Sequence, residues 1–230
     1  MLARLAISLV FSGVAFGQAF DAASIRKSPP FETGMPNGMR VDATHFITEQ
    51  YPIRTVIASA FDIELWELKG APDWTASEGY DITATMPAGT SNDDLRAMIR
   101  ALLEERCKLV AHRDTKETSV YALVVAKGGP KLTATAQGTK YGVQRRTGHI
   151  ETHRTSIANF LRTLGTAVDR PVLDRTGIHG QFDITLDWSA ETGPSIFTAI
   201  EEQLGLRLEA RKMPVEYLVI DHIERPSANQ

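Results

Sequence analysis

Tyr80-Asp81-Ile82-Thr83 returns later in the chain as Phe182-Asp183-Ile184-Thr185, and similar segments follow each copy in the same order. Each copy is followed by an amphipathic stretch, a strand-like piece and an apolar strand. These segments are residues 95–106, 108–113 and 120–126 after the first copy, and 196–204, 206–211 and 215–221 after the second. Two copies of one supersecondary unit are typical of duplication, so the sequence predicts a scaffold of two related modules.

The pattern of apolar residues predicts an α+β fold. Each module is expected to follow the order β-α-β-β-α-β-β, with a small sheet and two helices on one face. The polar, small composition around Arg145-Arg146 predicts a linker between the modules. The predicted divisions are a signal peptide (1–19), a first module (20–132), a linker (133–147), a second module (148–226) and a tail (227–230).

Several local signals position elements inside these modules. Ser91 followed by Asn92-Asp93-Asp94 predicts a helix start, because Ser caps helices and acids favour their first turn. Gly205 is expected at the end of the helix that precedes it. The strand at residues 120–125 is apolar on both faces, which predicts a central, covered position in a sheet.

Composition sets limits on the function. The chain has 230 residues, 43% of them hydrophobic, and a formal net charge of −3. That is enough apolar material for one large or two small cores. The weak negative charge gives no basic field to attract nucleic acid or an acidic membrane surface.

The N-terminus has the features of a secretory signal. Arg4 precedes an apolar run at residues 5–16, and Gly17-Gln18-Ala19 supplies small residues for cleavage after Ala19. The run is short for a transmembrane anchor. An uncleaved anchor or a buried first helix is the alternative. We expect an exported protein, periplasmic or extracellular, with no integral membrane segment after cleavage.

His149, Glu151 and His153 form the best local cluster for catalysis, since the common catalytic and phosphate-binding motifs are missing from the sequence. On a strand the three side chains would point to one face. Two imidazoles and a carboxylate could then bind zinc and leave a position for water. The alternative is a solvated face of an edge strand, and on balance we expect no metal and no cofactor.

The remaining single residues have simpler interpretations. Trp74, beside Pro72-Asp73, could be an exposed docking residue, or it could plug the end of a core. Cys107 is the only cysteine and ends an apolar helical stripe, which predicts a buried, inert thiol. Asp81 and Asp183 hold matching places in the two copies. A shared backbone hydrogen bond is a simpler role for them than Ca²⁺ binding or acid–base catalysis.

A set of short segments from Phe20 to Ser227 carries a family resemblance. These segments are Phe20-Asp21-Ala22-Ala23-Ser24-Ile25-Arg26, Gly70-Ala71-Pro72-Asp73-Trp74, Tyr80-Asp81-Ile82, Leu102-Leu103-Glu104-Glu105-Arg106, Val120-Tyr121-Ala122-Leu123-Val124-Val125-Ala126-Lys127-Gly128-Gly129-Pro130-Lys131, Asp169-Arg170-Pro171-Val172, Asp174-Arg175-Thr176-Gly177, Gly180-Gln181-Phe182-Asp183, Val219-Ile220-Asp221-His222 and Pro226-Ser227. The chain resembles a paralogous group of exported proteins of unknown function that is expanded in Solibacter-type soil acidobacteria. It departs from that group at Cys107, where an aromatic residue is usual.

This resemblance implies export, with no established activity, cofactor or catalytic residue. Some members of the group are joined to membrane metalloproteases, which are similar to antibiotic-sensing receptors. The resemblance therefore also implies a sensing or binding role. The second module is also similar, in element order and in Leu204-Gly205-Leu206, to the short N-terminal domains of secretins and TonB-dependent transducers. Those domains dock proteins and are not enzymes.

The sequence therefore predicts a non-enzymatic binding or sensing module of the cell envelope. Its expected partner is an envelope protein or peptide, docked at a sheet edge or in a groove between the modules. One alternative is a metal-dependent hydrolase that uses His149, Glu151 and His153. A second alternative is an envelope assembly component.

We expect export to cleave the chain near Ala19, because small residues follow the apolar run there. Mass spectrometry of the exported protein should find an N-terminus between Gln18 and Asp21. An exported protein that still begins at Met1 would contradict this prediction.

Overall fold

A computed structural model describes residues 19–30, 37–189, 191 and 193–226. The predicted signal run at 5–16 and the predicted tail at 227–230 lie outside the described residues.

Twelve strands are present in the described residues. They are β1 (Ala22–Lys27), β2 (Gly38–Val41), β3 (His45–Pro52), β4 (Leu68–Lys69), β5 (Gly79–Thr85), β6 (Val110–Val125), β7 (Thr133–Ala134), β8 (Gly142–Arg146), β9 (His149–Thr155), β10 (Val172–Asp174), β11 (Phe182–Asp187) and β12 (Leu206–His222).

Five α-helices are present in the same part of the chain. They are α1 (Ile53–Phe61), α2 (Trp74–Ser77), α3 (Asn92–Cys107), α4 (Ile157–Leu164) and α5 (Ile196–Leu204), and a short 3₁₀ helix spans Leu65–Glu67. Ser91 caps α3 as predicted, since its hydroxyl accepts the N–H of Asp94 at 3.1 Å. Gly205 ends α5 in the left-handed conformation, where a Cβ would lie 2.0 Å from the carbonyl oxygen of Gly129.

The chain divides into two compact units. Unit one contains the described residues up to Arg113 and those from Leu218 onward, and unit two spans Asp114–Tyr217. Each unit has its own four-stranded sheet, in the order β1-β5-β3-β2 in unit one and β7-β11-β9-β8 in unit two. Neighbouring strands in both sheets are antiparallel.

Each unit also has its own hydrophobic core. In unit one, α1 and α3 supply Ile53, Ile57, Ile99 and Leu103, which pack with Phe46 of the sheet. In unit two the corresponding side chains come from α4, α5 and the sheet, and they include Phe160, Leu164, Ile200, Ile150 and Ile184. The apolar residues at helical spacing thus form one face of each helix, and that face packs against the apolar face of the sheet.

A third sheet has the order β10-β6-β12-β4 and contains the two longest strands, of 16 and 17 residues. In unit one, β4 pairs in parallel with Leu218 and Val219 of β12. In unit two, β10 pairs in parallel with residues 121–123 of β6. Residues 120–123 are buried, and β6 lies between two other strands, so the predicted central position of this segment is confirmed.

Each unit is therefore completed by a segment that the sequence analysis assigned to the other module. The C-terminal end of β12 supplies Leu218 and Ile220 to the core of unit one, and Ile223, just after the strand, joins them. The second half of β6 supplies Tyr121 and Leu123 to the core of unit two. The division thus differs from the predicted boundaries of 20–132 and 148–226, because apolar periodicity marks a strand without showing which strands it pairs with.

The α+β class is confirmed, and the predicted β-α-β-β-α-β-β order is not. A strand–turn–strand precedes the first long helix of each unit, where one strand was predicted. Most of residues 108–113 and 120–126 belong to the single strand β6, and residues 206–211 and 215–221 belong to the single strand β12. The polar stretch from His112 to Ser119 hides this continuity, because it lacks the apolar alternation of a half-buried strand.

Residues 133–147, predicted to be a linker, contain β7 and β8. Both strands lie at the ends of their sheet, and most of their side chains are exposed. An edge strand with few buried side chains can have the polar composition of a loop. This explains why β7 and β8 were predicted to be a linker.

One carboxylate in each unit holds a bulge at the end of a strand. Asp81 Oδ1 accepts the N–H of Gln50 at 2.9 Å and the hydroxyl of Ser28 at 2.6 Å. Asp183 Oδ1 accepts the N–H of Arg154 at 2.9 Å and the hydroxyl of Thr135 at 2.8 Å. The predicted backbone hydrogen bond of these two aspartates is confirmed.

Cys107 is fully buried in the core of unit one, as predicted. Burial raises the pKa of its thiol to about 12, because the apolar surroundings disfavour the thiolate. A thiol that stays protonated is a poor nucleophile.

We expect Asp81→Ala to destabilise unit one by about 1–3 kcal/mol, because the bulge N–H and the Ser28 hydroxyl lose their acceptor. Asp81→Asn should cost less, since an amide oxygen can still accept both hydrogen bonds. The measurement is urea unfolding followed by tryptophan fluorescence, to which Trp66 and Trp74 of unit one contribute. The matched control is Asp73→Ala, at an exposed position. An equal loss in both alanine variants would contradict this role for Asp81.

Candidate functional site

Trp74 lies in a cluster of aromatic and charged side chains of unit one. Its ring meets the ring of Tyr80 edge-on, with centroids 6.0 Å apart. The Arg225 guanidinium lies 5.3 Å from the centroid of the Trp74 ring. Trp74 is half-buried and packs against the core. Contacts with Tyr80 and Arg225 leave little of the indole for a partner.

Glu78 holds this cluster together. Its carboxylate accepts hydrogen bonds from Arg225 Nη2 at 2.8 Å and from the Tyr80 hydroxyl at 2.9 Å, and Lys27 Nζ lies 3.1 Å away. The Arg225 hydrogen bonds are the main reason that the pKa of Glu78 is lowered to about 2. Burial is the main reason that the pKa of Tyr80 is raised. These contacts tie the C-terminal segment to unit one, which favours a structural role for Trp74.

His149, Glu151 and His153 lie on β9 and alternate with the buried residues Ile150 and Thr152, so they share one face as predicted. The Glu151 carboxylate lies between the two imidazoles, 3.8 Å from His149 Nε2 and 3.2 Å from His153 Nε2. The structure thus brings the three predicted residues together in a row.

Two aspartates on β11 extend this row at both ends. His149 Nδ1 lies 2.6 Å from Asp187 Oδ1, and His153 Nδ1 lies 3.9 Å from Asp183 Oδ1. The Arg154 N–H, the Thr135 hydroxyl and the charge of His153 together lower the pKa of Asp183. We call these five residues the histidine–carboxylate row. The sequence gives no signal for Asp187, because its pairing with His149 follows from the strand register.

The spacing of the row is poor for one metal ion. Four residues along a strand separate the Cα atoms of His149 and His153 by roughly 13 Å. Two nitrogens on one zinc lie within about 4 Å of each other. In the structure each Nε2 lies near a different oxygen of the Glu151 carboxylate, which separates the two imidazoles. No group of three or more His, Cys, Asp or Glu residues in the described part of the chain is arranged to hold a metal ion.

The outer edge of the unit-two sheet is formed by β8, which lies inside the segment predicted to be a linker. In the described structure β8 pairs with β9 and ends the sheet. Tyr141 is 62% exposed and Val143 is 41% exposed. Val143 lies opposite Thr152, which is buried, so its side chain is on the apolar face of the sheet. The signal available in the sequence was the alternation of Tyr141 and Val143 before the turn at Thr147-Gly148.

A similar edge occurs at β2 in unit one. Met39 is 39% exposed and Val41 is 49% exposed. They lie opposite Thr48 and Phe46, which are buried. Each of the two sheets thus has one end at which apolar residues, two positions apart, remain open to solvent.

A family model described as "Protein of unknown function (DUF3738)" matches residues 54–223, which is most of the chain. The chain belongs to this family. Membership of the DUF3738 family assigns no role to any residue, because the family is described as having unknown function. The predicted taxonomic range and the resemblance to secretin and TonB-dependent domains stay predictions.

No curated protein and no solved structure matches this DUF3738 chain significantly. None of its helices, within the described residues, has the length and apolar character needed to cross a bilayer. Two features of the described residues have potential for function: the histidine–carboxylate row and the exposed edges at β8 and β2.

We expect the protein to bind no stoichiometric zinc at the histidine–carboxylate row, because one ion cannot readily reach both imidazoles. Elemental analysis after zinc incubation and dialysis should give far less than one zinc per chain. The double variant His149→Ala with His153→Ala should give the same value and should still fold. Near one zinc per chain, lost in the double variant, would support the hydrolase alternative.

Proposed function

We propose that this protein is an exported, non-enzymatic binding module that docks an extended segment of a partner protein along β8. The observation that carries the proposal is the exposed end of the unit-two sheet, with Tyr141 and Val143 open to solvent beside it. The signal-like N-terminus supports a location in the cell envelope.

Strand addition uses the backbone of an edge strand. In an antiparallel pair, alternate residues turn their N–H and C=O groups away from the partner strand. β8 spans Gly142–Arg146 and pairs with β9 along its whole length, so a rigid ladder holds those outward groups in register. An added strand would gain backbone hydrogen bonds of about 0.5–1.5 kcal/mol each. An extended peptide is the kind of ligand that such an edge recognises.

The apolar side chains at β8 could select which side chains the partner strand carries. Val143 lies on the apolar face of the sheet, and an added strand would place every second residue on that face. An apolar residue of the partner could cover Val143 and the ring of Tyr141. Burying such a side chain contributes up to about 1.5–3 kcal/mol.

The proposal extends to the origin of the two units. The sheets share an order, with β1, β5, β3 and β2 in the places of β7, β11, β9 and β8. Asp81 and Asp183 make the same two kinds of hydrogen bond in these sheets. We propose that the units arose by duplication, which accounts for the similar exposed ends at β2 and β8.

The hydrolase alternative has less support. The two histidines of the row contact carboxylates at Asp187 and Glu151, and their spacing along the strand suits separate ion pairs. An ion-paired row on a sheet face can stabilise the sheet without chemistry. No specific contact in the row points to a bound substrate.

Strand addition can be tested with a neutral peptide, acetyl-Gln-Gln-Thr-Val-Thr-Gln-Gln-amide, and two versions of it that are N-methylated at alternate residues. We expect the unmodified peptide to shift the NMR amide signals of residues 141–146. One methylated version should bind equally well, and the other should lose binding, because only alternate N–H groups face β8.

The matched variants are Val143→Ser and Val110→Ser, since both valines are largely exposed. Only Val143→Ser should weaken binding of the unmodified peptide. The proposal is wrong if both methylated peptides bind equally, or if no peptide shifts the signals of β8.

A further inference from the structure

The segment around β8 is basic in a chain that is acidic overall. Residues 133–148 contain Lys140, Arg145 and Arg146 and no Asp or Glu, whereas the whole chain has a net charge of −3. The side chains of Lys140, Arg145 and Arg146 are exposed. The positive charge therefore faces solvent at the edge where a partner strand would dock.

The corresponding edge of unit one lacks this charge. At β2, Arg40 is ion-paired with Glu49 of β3, and Asp42 follows the strand. One arginine and two carboxylates leave no excess of positive charge there. The basic character is thus specific to β8 and is not a general property of the exposed edges.

The two arginines lie on opposite faces of β8. Arg145 is opposite Ile150 and donates a hydrogen bond to the Thr166 hydroxyl. Arg146 is opposite His149, on the face of the histidine–carboxylate row. Successive residues of an added strand also alternate between faces. Two consecutive acidic residues on that strand would therefore each meet one arginine.

The acidic groups of unit two nearest to β8 do not cancel this attraction. Glu151 lies on β9, opposite Gln144, and Asp187 lies one strand further away on β11. An added strand would be one strand spacing from β8, about 5 Å, and two spacings from β9, about 10 Å. Charges about 10 Å apart are largely screened at physiological ionic strength, whereas charges in contact are screened much less.

We infer that the segment docked on β8 is acidic, with an apolar residue facing Val143 and a pair of consecutive carboxylates facing Arg145 and Arg146. This inference rests on the proposed docking along β8 and names the chemistry of the partner. A second copy of the same edge is a poor occupant, because it would bring these arginines close to those of its neighbour.

The test compares three fluorescently labelled peptides by anisotropy at about 0.1 M salt, where the Debye length is about 10 Å. They are Glu-Glu-Thr-Val-Thr-Glu-Glu, its Gln counterpart and its Lys counterpart, each blocked at the C-terminus. These sequences read the same in both directions, so they suit a parallel or an antiparallel strand. The acidic peptide should bind about tenfold more tightly than the neutral one, as two or three exposed charge pairs allow. The Lys peptide should bind most weakly.

The double variant Arg145→Gln with Arg146→Gln should bring the ratio of the affinities for the acidic and neutral peptides close to one. Arg40→Gln, on the corresponding edge strand β2, should keep the preference. Added salt should reduce the preference as charges are screened.

Equal binding of acidic and neutral peptides would overturn the inference while the proposed docking stands. Failure of every peptide to shift the amide signals of β8 would overturn the docking itself. Self-association of the purified protein that is lost in Val143→Ser would identify a second copy as the occupant and would also overturn the inference.

Discussion

The fold depends on an aspartate that holds a bulge just before a helix. Gln50 and Arg154 have positive φ angles of 53° and 50°, a conformation that costs a non-glycine residue about 1–2 kcal/mol. A hydrogen bond to a charged group contributes about 1.5–3 kcal/mol, which can offset that cost. The carboxylates of Asp81 and Asp183 supply it. In both units the helix begins three residues later, at Ile53 and at Ile157.

This constraint fixes where β2 and β8, the strands at one end of each sheet, lie. The bulge interrupts the pairing of β3 with β5 and of β9 with β11, and the next residues enter α1 and α4. Before the bulge, the same strands pair with β2 and β8. The apolar face of the sheet then runs out to Val41 and Val143, where no helix of the described structure buries the side chain. An exposed edge with apolar residues follows from this geometry.

Much of the fold could be predicted from sequence because it depends on local patterns. Helical spacing of apolar residues gave α1, α3, α4 and α5, and the repeated Asp-Ile-Thr gave the matching strands β5 and β11. The unit boundaries could not be predicted, because the halves of β6 and β12 join different cores. That choice is made by pairing between strands far apart in the chain. The face shared by His149, Glu151 and His153 was predictable, whereas their pairing with Asp187 and Asp183 was not.

The edge at β8 was missed because its residues look like those of a linker, and it is the feature on which the functional account depends. A crystal structure of the protein with the acidic peptide tests that account most directly. The account predicts the peptide backbone beside residues 142–146, hydrogen-bonded to β8, with carboxylates at ion-pair distance from Arg145 and Arg146. A peptide bound at another surface, or a β8 edge already covered by another segment of the same chain, would contradict it.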